Sequence, residues 1–253
     1  MRTLLQKIRQ LSPAFYYCGI AHLILFCVLL IVQQWDHRQL MGINVWVKPA
    51  KFAISIAIYS FTWPLLLQYF SFEKTKERYT RFTVFALCFE MLCIASQAGR
   101  GELSHYNIHG VYNMLVFSLM GIVITTQTFY ALYIGVLFFR VKPVVISASV
   151  LWGIRLGILL SGLFAFEGGL MAARLSHTVG AADGSKGLPL VNWSTVAGDL
   201  RIAHFMGLHA LQLIPLFAVY ISPKNKLVTF LFTGLYFVVV CGLLCNALLG
   251  RAL

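Results

Sequence analysis

The chain has 253 residues, of which 59% are hydrophobic and 11% are charged, and its mean hydropathy is +0.80. Soluble domains carry roughly 25% charged residues, so this composition excludes a soluble globular, a disordered or a collagen-like chain. The net charge is +12. Because the lysines and arginines cluster in short segments between apolar runs, as in membrane proteins, we expect no nucleic-acid partner.

Seven apolar runs are each long enough for a transmembrane helix of ~20 residues. They predict an all-α fold, a polytopic membrane bundle of seven transmembrane helices that forms a single domain over residues 1–253. The first run follows basic residues but precedes no small-residue cleavage site, which indicates an uncleaved signal anchor. The predicted spans, numbered 1 to 7 in chain order, are residues 14–34, 51–71, 81–99, 113–139, 144–172, 201–221 and 227–249.

Lysine and arginine divide unequally between the two ends of these spans. The end that includes the N-terminus holds eleven of them in short segments, and the other holds eight in longer loops. The positive-inside rule therefore predicts a cytoplasmic N-terminus and an extracytoplasmic C-terminus. Loops 35–50, 100–112 and 173–200 then lie outside, and the last is long enough for a lid.

Two charged residues lie inside predicted spans at similar depths, Glu90 in span 3 and Arg155 in span 5. A charge in hydrocarbon costs about 2.5–3.5 kcal/mol on insertion scales. We therefore predict that Glu90 and Arg155 form an intramembrane ion pair. Such a pair would either fix the helix register without chemistry or act as an internal gate.

Span 2 carries polar residues at helical spacing, and its outer end holds two lysines. The pattern predicts a polar stripe that faces the bundle. Two cations at a pocket mouth suit an anionic headgroup or a phosphate; alternatively, both lysines extend to the membrane interface. The stripe consists of Lys48, Lys51, Ser55, Tyr59 and Thr62.

Two further patterns are interpreted as packing. Small residues at every fourth position of span 5 predict the close approach of a neighbouring helix. The six cysteines all lie in apolar runs, which is typical of packing residues and predicts no disulfide. The small-residue positions are Gly153, Gly157, Ser161, Ala165 and Gly169.

Polar and titratable side chains concentrate near the outer ends of spans 3 and 6, and we predict that they meet in one outward-facing pocket. On span 6, four such side chains share an arc of about 140° at 100° per residue, after an aspartate suited to cap the helix. Around span 6 these are Asp199, Arg201, His204, His209 and Gln212. The loops add Arg100, Ser104, His105, Asn107, His109, His177, Asp183 and Lys186.

One hypothesis for this pocket is a metal-assisted hydrolase or transferase that acts on a lipid-like anionic substrate. A divalent metal such as zinc would activate water. The expected catalytic residues are Ser104, His105, Asp199 and His204. The expected metal ligands are His105, His177, His204 and His209. The expected substrate-binding residues are Lys48, Lys51, Arg100, Asn107, Arg201 and Gln212.

Two other functions fit the same residues. Histidines from two helices could ligate haem b in a membrane redox protein, with His105 or His109 opposite His204 or His209. The chain could also be a small-molecule transporter or sensor with Glu90 and Arg155 as its gate, although it shows no internal repeat. Enzymatic activity, reaction type, protein partners and oligomeric state stay open at this point.

Three motifs carry a resemblance to a known family. The runs Trp46-Val-Lys-Pro-Ala-Lys-Phe52 and Gly198-Asp-Leu-Arg-Ile-Ala-His-Phe205, with Arg100-Gly-x-x-Ser-His-x-Asn107, resemble an uncharacterised family of bacterial multi-spanning membrane proteins. The resemblance covers most of the chain and implies a bacterial cytoplasmic membrane and a shared site around the motifs, but no activity. A weaker similarity is to seven-span metal-dependent lipid hydrolases, whose H-x-x-x-H motif on the last span is missing here.

Overall fold

The computed structural model describes residues 3–141, 146–184, 187–189 and 191–252. The chain divides into two compact units, Met1–Gln127 and Thr128–Leu253. Arg2, Lys142 and Lys186, which contribute to the predicted orientation and loop chemistry, lie outside the described residues.

The first unit is helical, with one short hairpin. Its boundary with the second unit falls within α5. A short amphipathic helix, α1, precedes the first predicted span and was not predicted from the sequence. The helices are α1 (Leu4–Leu11), α2 (Pro13–Val32), α3 (Val47–Leu67), α4 (Glu73–Arg100) and α5 (Val111–Leu137). Strands β1 (Gln39–Leu40) and β2 (Ile43–Asn44) pair antiparallel.

The second unit contains a short 3-10 helix, five α-helices and a two-residue β-ribbon among its described residues. The 3-10 helix is Phe138–Arg140. The α-helices are α6 (Ala148–Ala165), α7 (Glu167–Arg174), α8 (Leu200–Leu208), α9 (Ala210–Tyr220) and α10 (Lys226–Leu248). Strands β3 (Thr178–Val179) and β4 (Gly198–Asp199) pair antiparallel, with Thr178 opposite Asp199.

The predicted all-α membrane architecture is confirmed at the level of its helices. Six helical segments among the described residues are long and apolar enough to cross a membrane, and α8 with α9 makes a seventh if this pair, bent by 43°, is one span. The seven predicted spans each overlap one of these segments. Helix α4 has 28 residues, or ~42 Å, so its charged first turns extend beyond a hydrocarbon core of about 30 Å. The orientation of the termini stays a prediction.

Small residues of α6 pack against α8 and α9, as the spacing predicts. A Cβ on Gly153 would lie 2.6 Å from that of Ala218, and one on Gly157 would lie 2.9 Å from the Ala210 carbonyl oxygen. Ser161 donates a hydrogen bond to the Leu208 carbonyl at 3.0 Å. At the far end of the pattern, a methyl group added at Gly169 would meet no other atom within 4 Å, so close packing does not extend to that end.

The helix break in predicted span 6 lies at His209. A proline inside a helix predicts a kink, but Pro215 lies inside α9, six residues beyond this break. Instead of bonding to Leu208, the backbone N–H of Gln212 bonds to the His209 carbonyl at 3.0 Å. The Leu208 carbonyl therefore has no partner within the helix. It accepts a hydrogen bond from the Ser161 hydroxyl instead, so the carbonyl freed by the break has a partner inside the protein.

The predicted polar stripe of α3 is only partly correct. Tyr59 faces the interior of the first unit and bonds to Gln127 at 2.7 Å. Ser55, in contrast, is exposed. Lys48 and Lys51 are half-buried, so they are neither fully enclosed in the unit nor fully extended from it.

Candidate functional site

The loop that leads into α3 is fixed by an aspartate hub. Arg38 donates to both carboxylate oxygens of Asp36, and the Trp46 indole N–H donates to Oδ2 at 2.8 Å. These bonds hold the pKa of Asp36 well below its ordinary value, chiefly because the Arg38 guanidinium stabilises the anion. Arg38 also reaches the Gly99 carbonyl near the end of α4. The hub therefore positions the first turn of α3, which carries Lys48, against α4.

Arg100 and Asn107, predicted to bind substrate, are engaged in a network that joins the end of α4 to the start of α5. Arg100 donates to Gln97 at 2.7 Å and to Asn113 at 3.2 Å. Asn107 donates to Glu102 at 2.9 Å. The Arg100 guanidinium and the Asn107 amide therefore already have hydrogen-bond partners within the protein. Their network stabilises the loop between α4 and α5.

Ser104 and His105, predicted to be catalytic, do contact each other. Their Oγ and Nδ1 atoms lie 3.1 Å apart, and Ser104 is buried. The His105 ring packs against Phe52, with 5.7 Å between ring centroids. The pair therefore has the spacing of a nucleophile and its base.

Glu90 is a buried carboxyl group near the middle of α4. It is only 5% exposed, and its Oε1 atom has no hydrogen-bond partner among the described residues. The charge that acts on it is that of Lys48 on α3. Lys48, on α3 of the same unit, is close enough for its charge to act on Glu90, but it makes no hydrogen bond to Glu90 Oε1.

Arg155, the predicted partner of Glu90, lies in the second unit and has partners there. Its guanidinium donates to the Phe138 and Val141 carbonyls, each at 3.0 Å. It also lies 5.0 Å from the ring centroids of Phe139 and Trp152. The Glu90–Arg155 pair stays a prediction, but the structure accounts for Arg155 without it.

Asp199 and Arg201 form an ion pair at the start of α8. Arg201 donates to both Asp199 oxygens, at 2.9 and 2.6 Å, and Asp199 also accepts from the backbone N–H groups of Ser194 and Arg201. Burial alone would raise the pKa of Asp199, but the Arg201 charge and these hydrogen bonds outweigh it and lower that pKa. Asp199, predicted to be catalytic, caps α8 and binds the preceding loop through the Ser194 N–H. Arg201, predicted to bind substrate, pairs with Asp199 and donates to the Asn192 carbonyl of that loop.

His177, a predicted metal ligand, lies beside a second aspartate hub. Asp183 accepts from the Ser176 hydroxyl and from the backbone N–H groups of His177 and Thr178, and lies 3.3 Å from His177 Nδ1. Burial alone would raise the pKa of Asp183, but these hydrogen bonds and the His177 charge lower it. The hub closes a tight turn in the predicted lid, and lid motion stays a prediction.

His204 and His209 occupy different environments in the second unit. His204 Nδ1 lies 3.0 Å from the Phe164 carbonyl; because a carbonyl only accepts, this nitrogen carries the proton. Its ring faces Gly168 on α7. His209 Nδ1 lies 3.2 Å from Gln212 Oε1, so the predicted substrate-binding Gln212 holds the histidine at the helix break.

Glu167, in the first turn of α7, was missed by the sequence reasoning. It is 6% exposed, and neither carboxylate oxygen has a hydrogen-bond partner among the described residues. The sequence feature that could have indicated it is its position, since Glu167 is a carboxylate inside predicted span 5. With 6% exposure, its side chain lies in the interior of the second unit.

The predicted metal site receives no support from the described residues. No group of three or more histidine, cysteine, aspartate and glutamate side chains within them could hold a metal ion. His105 and His109 belong to the first unit, and His177, His204 and His209 belong to the second. Their convergence in one pocket stays a prediction.

Comparison with protein-family models, with curated proteins and with solved structures finds no match to this chain.

Proposed function

We propose that this chain is an integral membrane protein that carries a small anion together with a proton, with Glu90 and Lys48 as the coupling pair. The observation that carries the proposal is the buried Glu90 carboxyl, whose Oε1 has no hydrogen-bond partner among the described residues; Lys48, on α3 of the same unit, is the cation whose charge acts on it. Carboxyl groups inside membrane spans are costly and mark ion pathways and proton relays.

The coupling follows from the charges of the two groups. When Glu90 is ionised, it compensates the charge of Lys48. When Glu90 takes up a proton, its negative charge no longer offsets that of Lys48, and the more positive potential at this end of α3 favours an anion. Proton binding and anion binding therefore favour each other, and the effect is reciprocal by linkage. Lys51, one turn further along α3, adds to the positive potential at this end of the helix.

The break between α8 and α9 also supports a transport function. Interrupted spanning helices are common in transporters, where they absorb the movement that alternates access. Here the break angle is 43°, and the freed Leu208 carbonyl is held by a single hydroxyl, that of Ser161.

Glu167 supports a proton-linked function from the second unit. A carboxylate anion at this position has no donor among the described residues, and burying an unpaired charge is far more costly than burying a neutral acid. We expect Glu167 to act as a second proton-binding group, and Glu167→Gln to slow proton movement.

Proton uptake by proteoliposomes tests the proposal. With an inward gradient of lactate or of inorganic phosphate and an entrapped pH-sensitive dye, the unmodified protein should acidify the lumen. Glu90→Gln and Lys48→Gln should abolish this signal. The matched control is Glu77→Gln, which neutralises an exposed carboxylate paired with Arg81 at the start of α4 and should leave the signal unchanged. Acidification by Glu90→Gln at the unmodified rate would refute the proposal.

A second candidate function is the predicted hydrolase, favoured by the contact between Ser104 and His105. In this mechanism Ser104 is the nucleophile and His105 its base, with an anionic lipid as substrate. A fluorophosphonate probe should label the purified protein, and Ser104→Ala should prevent labelling while Ser96→Ala, at an exposed serine on α4, should not. Labelling that persists in Ser104→Ala would rule out this role.

The zinc and haem b hypotheses stay predictions. Metal analysis of the purified protein tests the first, with stoichiometric zinc that is lost in His204→Ala as the supporting result. An absorption spectrum tests the second, since haem b ligated by two histidines gives a Soret band. A preparation that stays colourless after addition of haem would remove that hypothesis.

We infer a bacterial cytoplasmic membrane and a cytoplasmic N-terminus from the resemblance and from the charge distribution. Fusion of a periplasmic reporter enzyme after residue 112 should give active enzyme, whereas fusion after Lys76 should not. The opposite pattern would invert the orientation and place the 100–112 loop in the cytoplasm.

A further inference from the structure

The first two helices of the first unit border an open cavity at their junction. Ser12 alone separates α1 from α2, and its extended backbone interrupts the helical path there. Helix α1 packs against α2 and α3 through Ile8, which is 1% exposed. The cavity has a volume of about 510 Å³ and is lined by Gln6, Arg9, Gln10, Pro13 and Tyr17.

Helical spacing explains why these side chains meet. Gln6, Arg9 and Gln10 are three and four residues apart on α1 and therefore share one face of that helix. Pro13, the first residue of α2, and Tyr17 are one turn apart on the next helix. Of the five lining residues, Arg9 is the charged one. The cavity thus combines amide and hydroxyl groups with a single guanidinium.

Arg9 has no anionic partner among the described residues. None of the ion pairs there involves it, and the sequence contains no aspartate or glutamate before Asp36. Its guanidinium lies 6.0 and 5.8 Å from the ring centroids of Tyr16 and Tyr17, within the range of a cation–π contact. A ring face accepts none of the five N–H groups as a carboxylate or phosphate would, so the guanidinium is suited to an anion from outside the chain.

The carboxylates at the same end of the first unit are neutralised by their own neighbours. Since α2 and α3 each cross the membrane once, α4 begins at the end of the unit where α1 lies. In its first turns, Glu73 pairs with Lys76 at 2.6 Å and Glu77 pairs with Arg81. The positive charge of α1 is therefore not compensated by the acidic residues of α4.

The length of α2 places the cavity at the level of the lipid headgroups. Its 20 residues span ~30 Å, which equals the thickness of the hydrocarbon core, so Pro13 lies at one surface of that core. Tyrosines are common at this depth, and Tyr17 lies one turn inside. On α1, Leu4 and Leu5 are 61% and 44% exposed, as in a helix whose apolar side chains lie at the boundary between headgroups and acyl chains.

We propose that this cavity binds a phospholipid with an anionic headgroup. The Arg9 guanidinium donates to the lipid phosphate, a group that it matches in geometry, and Leu4 and Leu5 contact the acyl chains. Lys7, which is exposed on α1, adds a second positive charge. A lipid with a net negative charge, such as phosphatidylglycerol, is therefore preferred over phosphatidylcholine, whose choline cation offsets the charge of the phosphate.

Photocrosslinking of the full-length protein in detergent tests the proposal. Phosphatidylglycerol or phosphatidylcholine, each with a photoreactive group on the first carbons of an acyl chain, is titrated into delipidated protein, and the labelled peptides are identified by mass spectrometry. We expect phosphatidylglycerol to label residues 4–17 at saturable occupancy, at a concentration about tenfold lower than phosphatidylcholine requires. An excess of glycerol 3-phosphate distinguishes a lipid site from a site for a soluble phosphate, and it should not displace the lipid.

Two matched variants assign the role of the guanidinium. Arg9→Gln should weaken the labelling of residues 4–17 by phosphatidylglycerol about tenfold, since a hydrogen bond to a charged group is worth roughly that factor. Arg81→Gln removes the same charge from an exposed position at the start of α4 and should leave the labelling unchanged. The proposal is overturned if the two lipids label this segment equally in the unmodified protein, if both variants weaken labelling to the same extent, or if glycerol 3-phosphate displaces the lipid.

Discussion

Replacement of Glu90 by glutamine keeps the shape of the side chain and removes its proton-binding group. The negative charge of Glu90 then no longer offsets that of Lys48. Because Glu90 Oε1 has no hydrogen-bond partner among the described residues, the substitution breaks no bond at that atom, and we expect a loss of stability of at most about 1 kcal/mol and a folded variant. The defect should therefore lie in coupling and not in folding.

The size of the transport defect follows from the stoichiometry. If one proton accompanies one monovalent anion, a gradient of one pH unit is worth about 1.4 kcal/mol and can concentrate the anion tenfold. Radiolabelled lactate in proteoliposomes measures this ratio. We expect accumulation to approach tenfold for the unmodified protein and to fall to equilibration, a ratio of one, for Glu90→Gln. A Glu90→Gln protein that still concentrates lactate in response to the pH gradient would refute the reasoning.

Two further predictions concern the second unit. Gly207→Ala should destabilise the protein by about 1–3 kcal/mol, because a Cβ there would overlap the Phe164 side chain, whereas Gly234→Ala, at an open position, should not; thermal unfolding in detergent compares them, and equal melting temperatures would contradict the packing. The lowered pKa of Asp199 means that its ion pair with Arg201 stabilises the fold above pH ~3.9 and is lost as the pH falls further. The stability difference between the unmodified protein and Asp199→Asn should therefore shrink as the pH falls from about 5 to about 3, and a constant difference would exclude this role.

The helices were predictable because the bilayer fixes their minimum length and composition. Each predicted span corresponds to one helix, except that span 5 covers α6 and α7 and span 6 covers α8 and α9, since apolar runs of this length have few other structures in a membrane. Helix α1 was missed because its eight residues are too few for the pattern of a span. Pro215 indicated an irregularity in span 6, but the position of the break at His209 depends on packing against α6, which a single helix pattern does not contain.

The candidate site was less predictable, because residue type alone does not reveal hydrogen-bond partners. Asp199 and Arg201 were expected to face a substrate, yet they bind each other. Glu90 was singled out from the cost of burying a charge, and it is buried; its pairing with Arg155 stays a prediction. The same argument, the cost of burying a charge, applies to Glu167, but the sequence analysis did not single it out. Tertiary contacts, which hydropathy does not encode, determine which of these groups are already satisfied.

The protonation state of Glu90 is the most direct measure of the central claim. Infrared difference spectra, recorded on the purified protein with and without lactate, report the carbonyl band of a protonated carboxyl group. We predict that lactate increases this band in the unmodified protein and that the change is absent in Glu90→Gln and in Lys48→Gln. A band that does not change with lactate, or that changes equally in Glu90→Gln, would contradict proton–anion coupling at this pair.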